Sequence, residues 1–300
     1  MQTKSGPGAR RREWRRVRIR AVKLVVAAVL LTLLLHPWWQ RSPHPDRFLY
    51  RLEGSDTMLA LAQAWARAYA ERCPEVAVAV SGGGSGSGLT ALLYGHADLA
   101  LASRAVAAEE LELARATGRE LRGTVVAFDG VALIVHGSNP VAEIDYGSLR
   151  GLLTGRIGNW RTLGGEDTRV LVMSREANSG TYAYLKDRVL GEDEFERRAL
   201  LLPSSQDLIQ AVARDRGALG YVGLVHLTPA VKALRVRRGP GQPAVAPSQR
   251  TARDGTYPLA RPLYLYWSAY AAPGLLGFVD FILGSEGQRL VEQVGFVARP

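Results

Sequence analysis

Residues 172–190 read VMSREANSGTYAYLKDRVL. An apolar, strand-like run ends at Arg175, a Ser179-Gly180-Thr181 step follows, and helical spacing begins at once. The first turn of such a helix presents backbone N–H groups with no intrahelical acceptor and about half a positive charge, so an oxyanion can bind there without touching an ammonium. Arg175 lies four residues before Ser179, placed to reach over that helix start as a two-pronged donor. Together these residues make half a cage for a tetrahedral oxyanion.

Three more places carry the same kind of signal: GSDT from Gly54, GGGSGSG from Gly82, and SSQD from Ser204. Each is an N-cap pattern, and helix capping alone accounts for any one of them equally well. Gly86, Gly88 and Gly180 let a ligand approach the main chain, and the hydroxyls of Ser85, Ser87, Ser179 and Thr181 add donors. LTALL follows the glycine run immediately, which marks a strand-to-helix turn rather than a flexible spacer.

Outward from these turns, strand-like and helix-like patterns alternate. FLYRLE and VAVAVS read as strands, Met58 to Glu71 as a helix, and GTVVAFDGVALIVHG as two apolar strands broken at Asp129-Gly130. SSQDLIQAVARD reads as a helix, GALGYVG and LARPLYLYWSAY as strands, and GLLGFVDFILGSEGQRLVEQVG as one closing amphipathic helix. Arg235 to Arg253, rich in Pro, Arg and Gly, reads as a surface loop. The alternation predicts an α/β protein with mostly parallel sheets.

The net charge of +10 suggests nucleic acid until it is located. Met1 to Asp46 hold ten Lys/Arg and two Asp/Glu, leaving 28 basic and 26 acidic residues for the remainder. The body is close to neutral and has no basic stripe interleaved with aromatics, so nucleic-acid binding is set aside. The N-terminal charge precedes an apolar run, Leu24 to Leu35, followed by Trp38 and Trp39. Twelve residues match a signal-peptide core and fall short of the roughly 20 of a spanning helix. Residues 1–46 therefore read as an export signal. Removal and retention as a membrane anchor both stay open, because no A-x-A site follows and the Trp pair suits an interfacial belt.

Catalytic and metal templates fit poorly. No G-x-x-x-x-G-K-[ST], G-x-S-x-G or S-x-x-K occurs, and the five histidines never fall in metal-ligand spacing; His96 and His226 read as ordinary surface or interface residues. The lone cysteine, Cys73, permits no internal disulfide and reads as a small packed residue at a helix end.

In order and spacing, GSDTM, GGGSGSG, DLALASR, DGVALIVHGSNP, LLTGRIGNW, SREANSGT, GALGYVG, YPLARPLYLY and FILGSEGQRLVEQVGFV resemble the periplasmic phosphate-binding proteins of ABC transporters, a group of two-lobed solute-binding proteins. The resemblance implies a type II periplasmic-binding-protein fold with the ligand in the cleft between lobes. Residues 47–130 plus 258–300 would form lobe 1 and 131–257 lobe 2, with hinges near Asp129 and Arg261. It also implies inorganic phosphate as ligand, held by Ser55, Thr57, the Met58 N–H, Ser85 and Ser103 from one lobe and Arg175, Ser179, Gly180 and Thr181 from the other. Arg104, kept beside Ser103 in the implied ligand set, stands where some relatives carry an Asp, so Asp56 joins the set as the substitute acceptor for a phosphate proton, or else is a cap on the helix that starts at Met58. Such an acceptor disfavours fully ionised sulfate, which has no proton to give. The implied protein is a monomeric, non-enzymatic partner of ABC permease subunits with no metal or organic cofactor, touching the membrane through the N-terminal segment where that is uncleaved. Alternatives are a binding protein for sulfate, molybdate or tungstate, a membrane-retained phosphate sensor, and a hydrolase using a Ser-Gly serine.

Overall fold

The computed structural model describes residues 48–300; the segment read as a signal or anchor, 1–46, lies outside them. In chain order come β1 Phe48–Gly54, α1 Leu59–Arg72, β2 Val76–Ser81, α2 Ser85–Tyr94, β3 Leu99–Ala102, α3 Ala108–Ala116 and β4 Leu121–His136. Then follow β5 Glu143–Asp145, α4 Tyr146–Leu153, β6 Leu171–Arg175, α5 Gly180–Leu185, β7 Leu200–Leu202, α6 Ser205–Arg214 and β8 Ala218–Gly223. The last elements are β9 Val231–Ala233, β10 Arg235–Arg237, α7 Gln249–Arg253, β11 Ala260–Ser268, α8 Pro273–Leu283, α9 Ser285–Val294 and β12 Val297–Ala298.

The main sheet runs β2-β1-β3-β11-β4-β8-β6-β7, with β9 and β12 also on β4, while β5 and β10 form a separate ribbon. Pairing is parallel between β1 and its neighbours β2 and β3, and between β6 and its neighbours β7 and β8. Around β4 and β11 it is antiparallel, which makes the sheet mixed rather than mostly parallel.

Four apolar clusters form among the described residues, and two of them are large cores. Leu52, Trp65, Ala127, Leu263 and Phe278 belong to one; Val131, Leu149, Trp160, Leu219 and Leu259 belong to the other. The buried indoles are satisfied, Trp65 Nε1 donating to Gly287 O and Trp160 Nε1 to Gly217 O, each at 2.9 Å. β4 passes from one core to the other between Ala127 and Val131, and the chain returns between Leu259 and Leu263.

At this crossing the sequence reading needs correction. Asp129-Gly130 does not break the strand: β4 is one 16-residue strand. Asp129 lies opposite Arg261 and Gly130 opposite Ala260, so the polar residue meets its counter-charge in register. The missing Cβ at Gly130 leaves room for the Leu224 and Tyr257 side chains. The closing helix also divides, because Gly284 adopts an extended backbone (φ −73°, ψ 170°) and ends α8. Likewise 235–253 is more ordered than a loop, with Val236 bridged to Val245 and α7 capped by the Ser248 side chain.

Candidate anion-binding site

The turns singled out in the sequence converge. From the first core come Ser55 and Thr57 after β1, Ser85 at the start of α2 and Ser103 after β3, all at most 2% exposed. From the second come Arg175 at the end of β6, then Ser179, Gly180 and Thr181 at the start of α5, also buried. The Thr57 and Thr181 hydroxyl oxygens are 3.3 Å apart, 124 positions apart in sequence. Ser85 Oγ accepts from Ser103 N at 3.0 Å and lies 3.4 Å from Ser103 Oγ. Gly180 packs directly against these two serines: a Cβ built on it would lie 3.0 Å from Ser85 Cβ and closer still to both hydroxyls. The rim is tied across as well, with Gly86 N donating to Asn178 O at 3.0 Å and Asn178 Nδ2 to Gly83 O at 2.9 Å. Gly84 is required here on two counts, its φ of 100° and the close Asn178 carbonyl.

Helix starts make this arrangement suited to an anion. Thr57, Ser85, Gly180 and Thr181 sit in first turns, whose N–H groups have no intrahelical acceptor. α5 is short but continues without interruption into a wider turn at Lys186–Leu190. Neither of the first two starts has a side-chain cap: Ser55 makes no cap hydrogen bond, and the N-cap before Ser85 is Gly84, which has no side chain. Ser179 and Ser204 do cap, accepting from Tyr182 N and Asp207 N.

Arg175 is held from several sides. Its Nε donates to Leu202 O at 3.1 Å, Nη2 to Pro203 O at 2.7 Å, and Nη1 to Ser205 Oγ at 3.1 Å and Asp56 Oδ2 at 3.2 Å. Four of its five N–H groups are thus engaged by protein, where the sequence reading had a two-pronged grip on the ligand. Its backbone N–H donates to the Tyr221 hydroxyl, which also meets Ser174 Oγ at 2.6 Å; burial holds the Tyr221 pKa well above the ordinary phenol value. Asp56 takes neither sequence-derived role in simple form. It does not cap its own helix start; Oδ2 accepts from Arg175 and from Ser205 N at 3.1 Å, spanning the two cores. Its other carboxylate oxygen stays available to accept.

Arg104 and the Met58 amide already have protein partners. Arg104 makes a two-pronged pair with Glu110, both contacts at 2.7 Å, where Glu110 also accepts from Ala107 N at the start of α3. The Met58 N–H donates to Ser55 O at 3.0 Å.

The sequence reading named Asp129 and Arg261 only as hinge positions and missed that Arg261 lies beneath the hydroxyls. Arg261, 1% exposed, donates through Nη2 to Asp129 Oδ2 at 3.1 Å and Thr57 Oγ1 at 3.4 Å, and through Nη1 to Thr181 Oγ1 at 3.1 Å and Ser103 O at 3.2 Å. The Tyr184 ring lies below the guanidinium, 5.7 Å away, and its hydroxyl donates to Ala260 O. Burial raises the Tyr184 pKa to about 12, against the pull of Arg261, so this hydroxyl stays protonated. A usable signal was present: Asp129 is the one charge in the apolar run 125–135, and Arg261 is the one charge in β11.

His226 lies at the edge of this network with Nε2 buried and unpartnered. Burial lowers its pKa from 6.5; the Asp129 and Asp56 carboxylates oppose that shift, while Arg261 and Arg175 add to it. The folded imidazole therefore binds its proton less readily than the unfolded chain does. Its stabilising contribution is complete above about pH 6.5 and falls as pH drops below that value, where only the unfolded chain is protonated. In phosphate-free buffer, His226→Gln should flatten the fall of the thermal midpoint between pH 7 and pH 5, as read by circular dichroism. Parallel curves for variant and wild type would remove His226 from this role.

A mixed α/β chain whose two cores meet over buried hydroxyls, helix starts and arginines has the build of a solute-binding protein. The chain belongs to the PBP superfamily, whose domain model matches residues 42–286. It is 34% identical over 294 residues to protein SphX of Synechococcus elongatus, covering 93% of this chain and 85% of that one. To the phosphate-binding protein PstS of Pseudomonas aeruginosa it is 28% identical over 264 residues, 82% of each. Among solved structures, a phosphate ABC transporter substrate-binding protein from Clostridium perfringens with bound phosphate superposes with a TM-score of 0.77 at 26% identity, covering 84% of this chain and all of that one. An ABC-type phosphate transport receptor from Vibrio cholerae gives 0.69 at 26% identity, covering 83% of this chain and all of that one.

Proposed function

We propose that this chain binds inorganic phosphate outside the cytoplasmic membrane and hands it to an ABC permease. The observation that carries this reading is the meeting of Thr57, Ser85 and Ser103 from one core with Gly180 and Thr181 from the other, all buried and rich in donors. Donors from two sides suit a tetrahedral dianion, and burial strengthens each hydrogen bond to it. The relatives named for phosphate support the choice of anion.

The two cores serve as lobes, 47–130 plus 258–300 and 131–257. They swing about the crossing of β4 and β11 at Asp129 and Arg261, and closure over the anion excludes water. The ligand set is Ser55, Thr57, Ser85, Ser103, Ser179, Gly180 and Thr181, with Arg175 behind Asp56. Asp56 is the acceptor that favours a protonated phosphate over sulfate. The protein works as a binding component without catalysis, exported by its N-terminal segment.

Isothermal titration of the purified protein with phosphate and with sulfate tests this. Phosphate should bind and sulfate should bind at least about five-fold more weakly, since an acceptor left facing oxygen lone pairs costs on the order of 1–3 kcal/mol. Tight sulfate binding with weak phosphate binding would assign the site to another oxyanion.

A further inference from the structure

We propose that Arg261 is a positioning residue that sets the donor direction of the hydroxyls facing the anion: its guanidinium donates into Thr57 Oγ1 and Thr181 Oγ1 at once, turning their protons outward. The inference rests on the phosphate site proposed above and adds a residue beneath it.

A threonine hydroxyl has one proton and two lone pairs, and can face a neighbour as donor or as acceptor. Toward a fully ionised oxygen only the donor orientation is favourable. The guanidinium has no acceptor, so at both contacts the threonine oxygen must accept and its proton is left free. The Thr57 to Thr181 contact at 3.3 Å uses at most one of the two protons. At least one is therefore left for a third group, and an anion between the lobes can draw both.

Arg261 is fixed for this task. Asp129 pairs with it at 3.1 Å, both side chains are at most 2% exposed, and the two residues face each other on β11 and β4. Asp129 is itself held, Oδ1 accepting from Leu224 N at 3.1 Å. The remaining Nη1 contact, to Ser103 O, ties the guanidinium to the third hydroxyl-bearing turn. One side chain at the crossing thus reaches a threonine from each core, and both contacts form together only when the cores approach. Lysine cannot reproduce this, because a single ammonium on a flexible stem lacks the planar fork.

The test is a pair of titrations in two backgrounds. Arg261→Gln with Asp129→Asn, which avoids a lone buried charge, should lower phosphate affinity about five-fold in the otherwise wild-type chain, roughly the worth of one neutral hydrogen bond. In a Thr181→Val background the same replacement should cost about two-fold or less, because one of the two hydroxyls it orients is gone. Equal factors in both backgrounds, or no loss in the first, would overturn the proposal. If the double replacement fails to fold, as judged by its far-ultraviolet dichroism, Arg261→Lys is carried through the same cycle. Wild-type affinity in that variant would equally overturn it. A wild-type chain that binds no phosphate would instead overturn the functional reading.

Discussion

Arg175→Ala lowers phosphate affinity by about ten-fold to more than a hundred-fold, read by isothermal titration against wild type. The Arg175 guanidinium is one of the two cations, with Arg261, that join the two cores at the site, making three contacts on its own side and one to Asp56 across it. Truncation leaves Asp56 Oδ2 with Ser205 N alone and places a carboxylate beside an incoming anion without its counter-charge. The one Nη2 N–H of Arg175 that meets no protein acceptor is the donor open to the anion, and losing a hydrogen bond to a charged group costs roughly 1.5–3 kcal/mol, where each 1.4 kcal/mol is a decade in affinity. The fold should tolerate the change, since Leu202 is half-buried and Pro203 exposed, so water can take the place of the donor at their carbonyls, and the Tyr221 hydroxyl still accepts from the unaltered backbone N–H. An unchanged dissociation constant would take Arg175 out of the site.

What the sequence made legible follows a physical division. Local signals were readable: helix starts at Ser85, Gly180 and Ser205, and the strands that feed them, follow from turn chemistry and periodicity. The convergence of Thr57 and Thr181 came from family resemblance, because no local rule relates residues so far apart. The partner of each polar group was not legible. Read in one dimension, Arg175 is free to grip a ligand, yet it faces Leu202, Pro203, Ser205 and Asp56, whose approach depends on how β7 and α6 pack. Arg104 enters the candidate set through its place beside Ser103, and Glu110, six residues on, pairs with it. Asp129-Gly130 looked like a strand break because the reading was confined to one strand; Arg261 opposite it turns the same residues into an ion pair at the crossing.

That ion pair shows why the crossing carries charge at all. A buried pair recovers little net stability once both ions are desolvated, and an apolar pair of similar volume would often serve the fold as well. A lone apolar side chain at Arg261 could not donate to Thr57 or Thr181. The charge pair is therefore better explained by the hydroxyls above it than by the stability of the sheet.

Gly180→Ala separates the stability of the fold from closure on the ligand. Gly180 is not at positive φ, so alanine meets no backbone strain there, and a helical glycine replaced by alanine gains up to about 1 kcal/mol. In the phosphate-free protein the thermal midpoint should stay level or rise. Binding should move the other way. The new methyl points at Ser85 and Ser103, short and fully buried side chains of the opposite core that have no longer rotamer to retreat to. The two halves must stand apart or the serines must shift, and overpacking of this kind costs about 1–3 kcal/mol. Phosphate affinity should fall about 5-fold to 150-fold. A general folding defect lowers both readouts together and cannot give this split. A dissociation constant within about two-fold of wild type would mean that the halves do not approach to this distance around bound phosphate, and the donor cage would have to be built from one lobe alone.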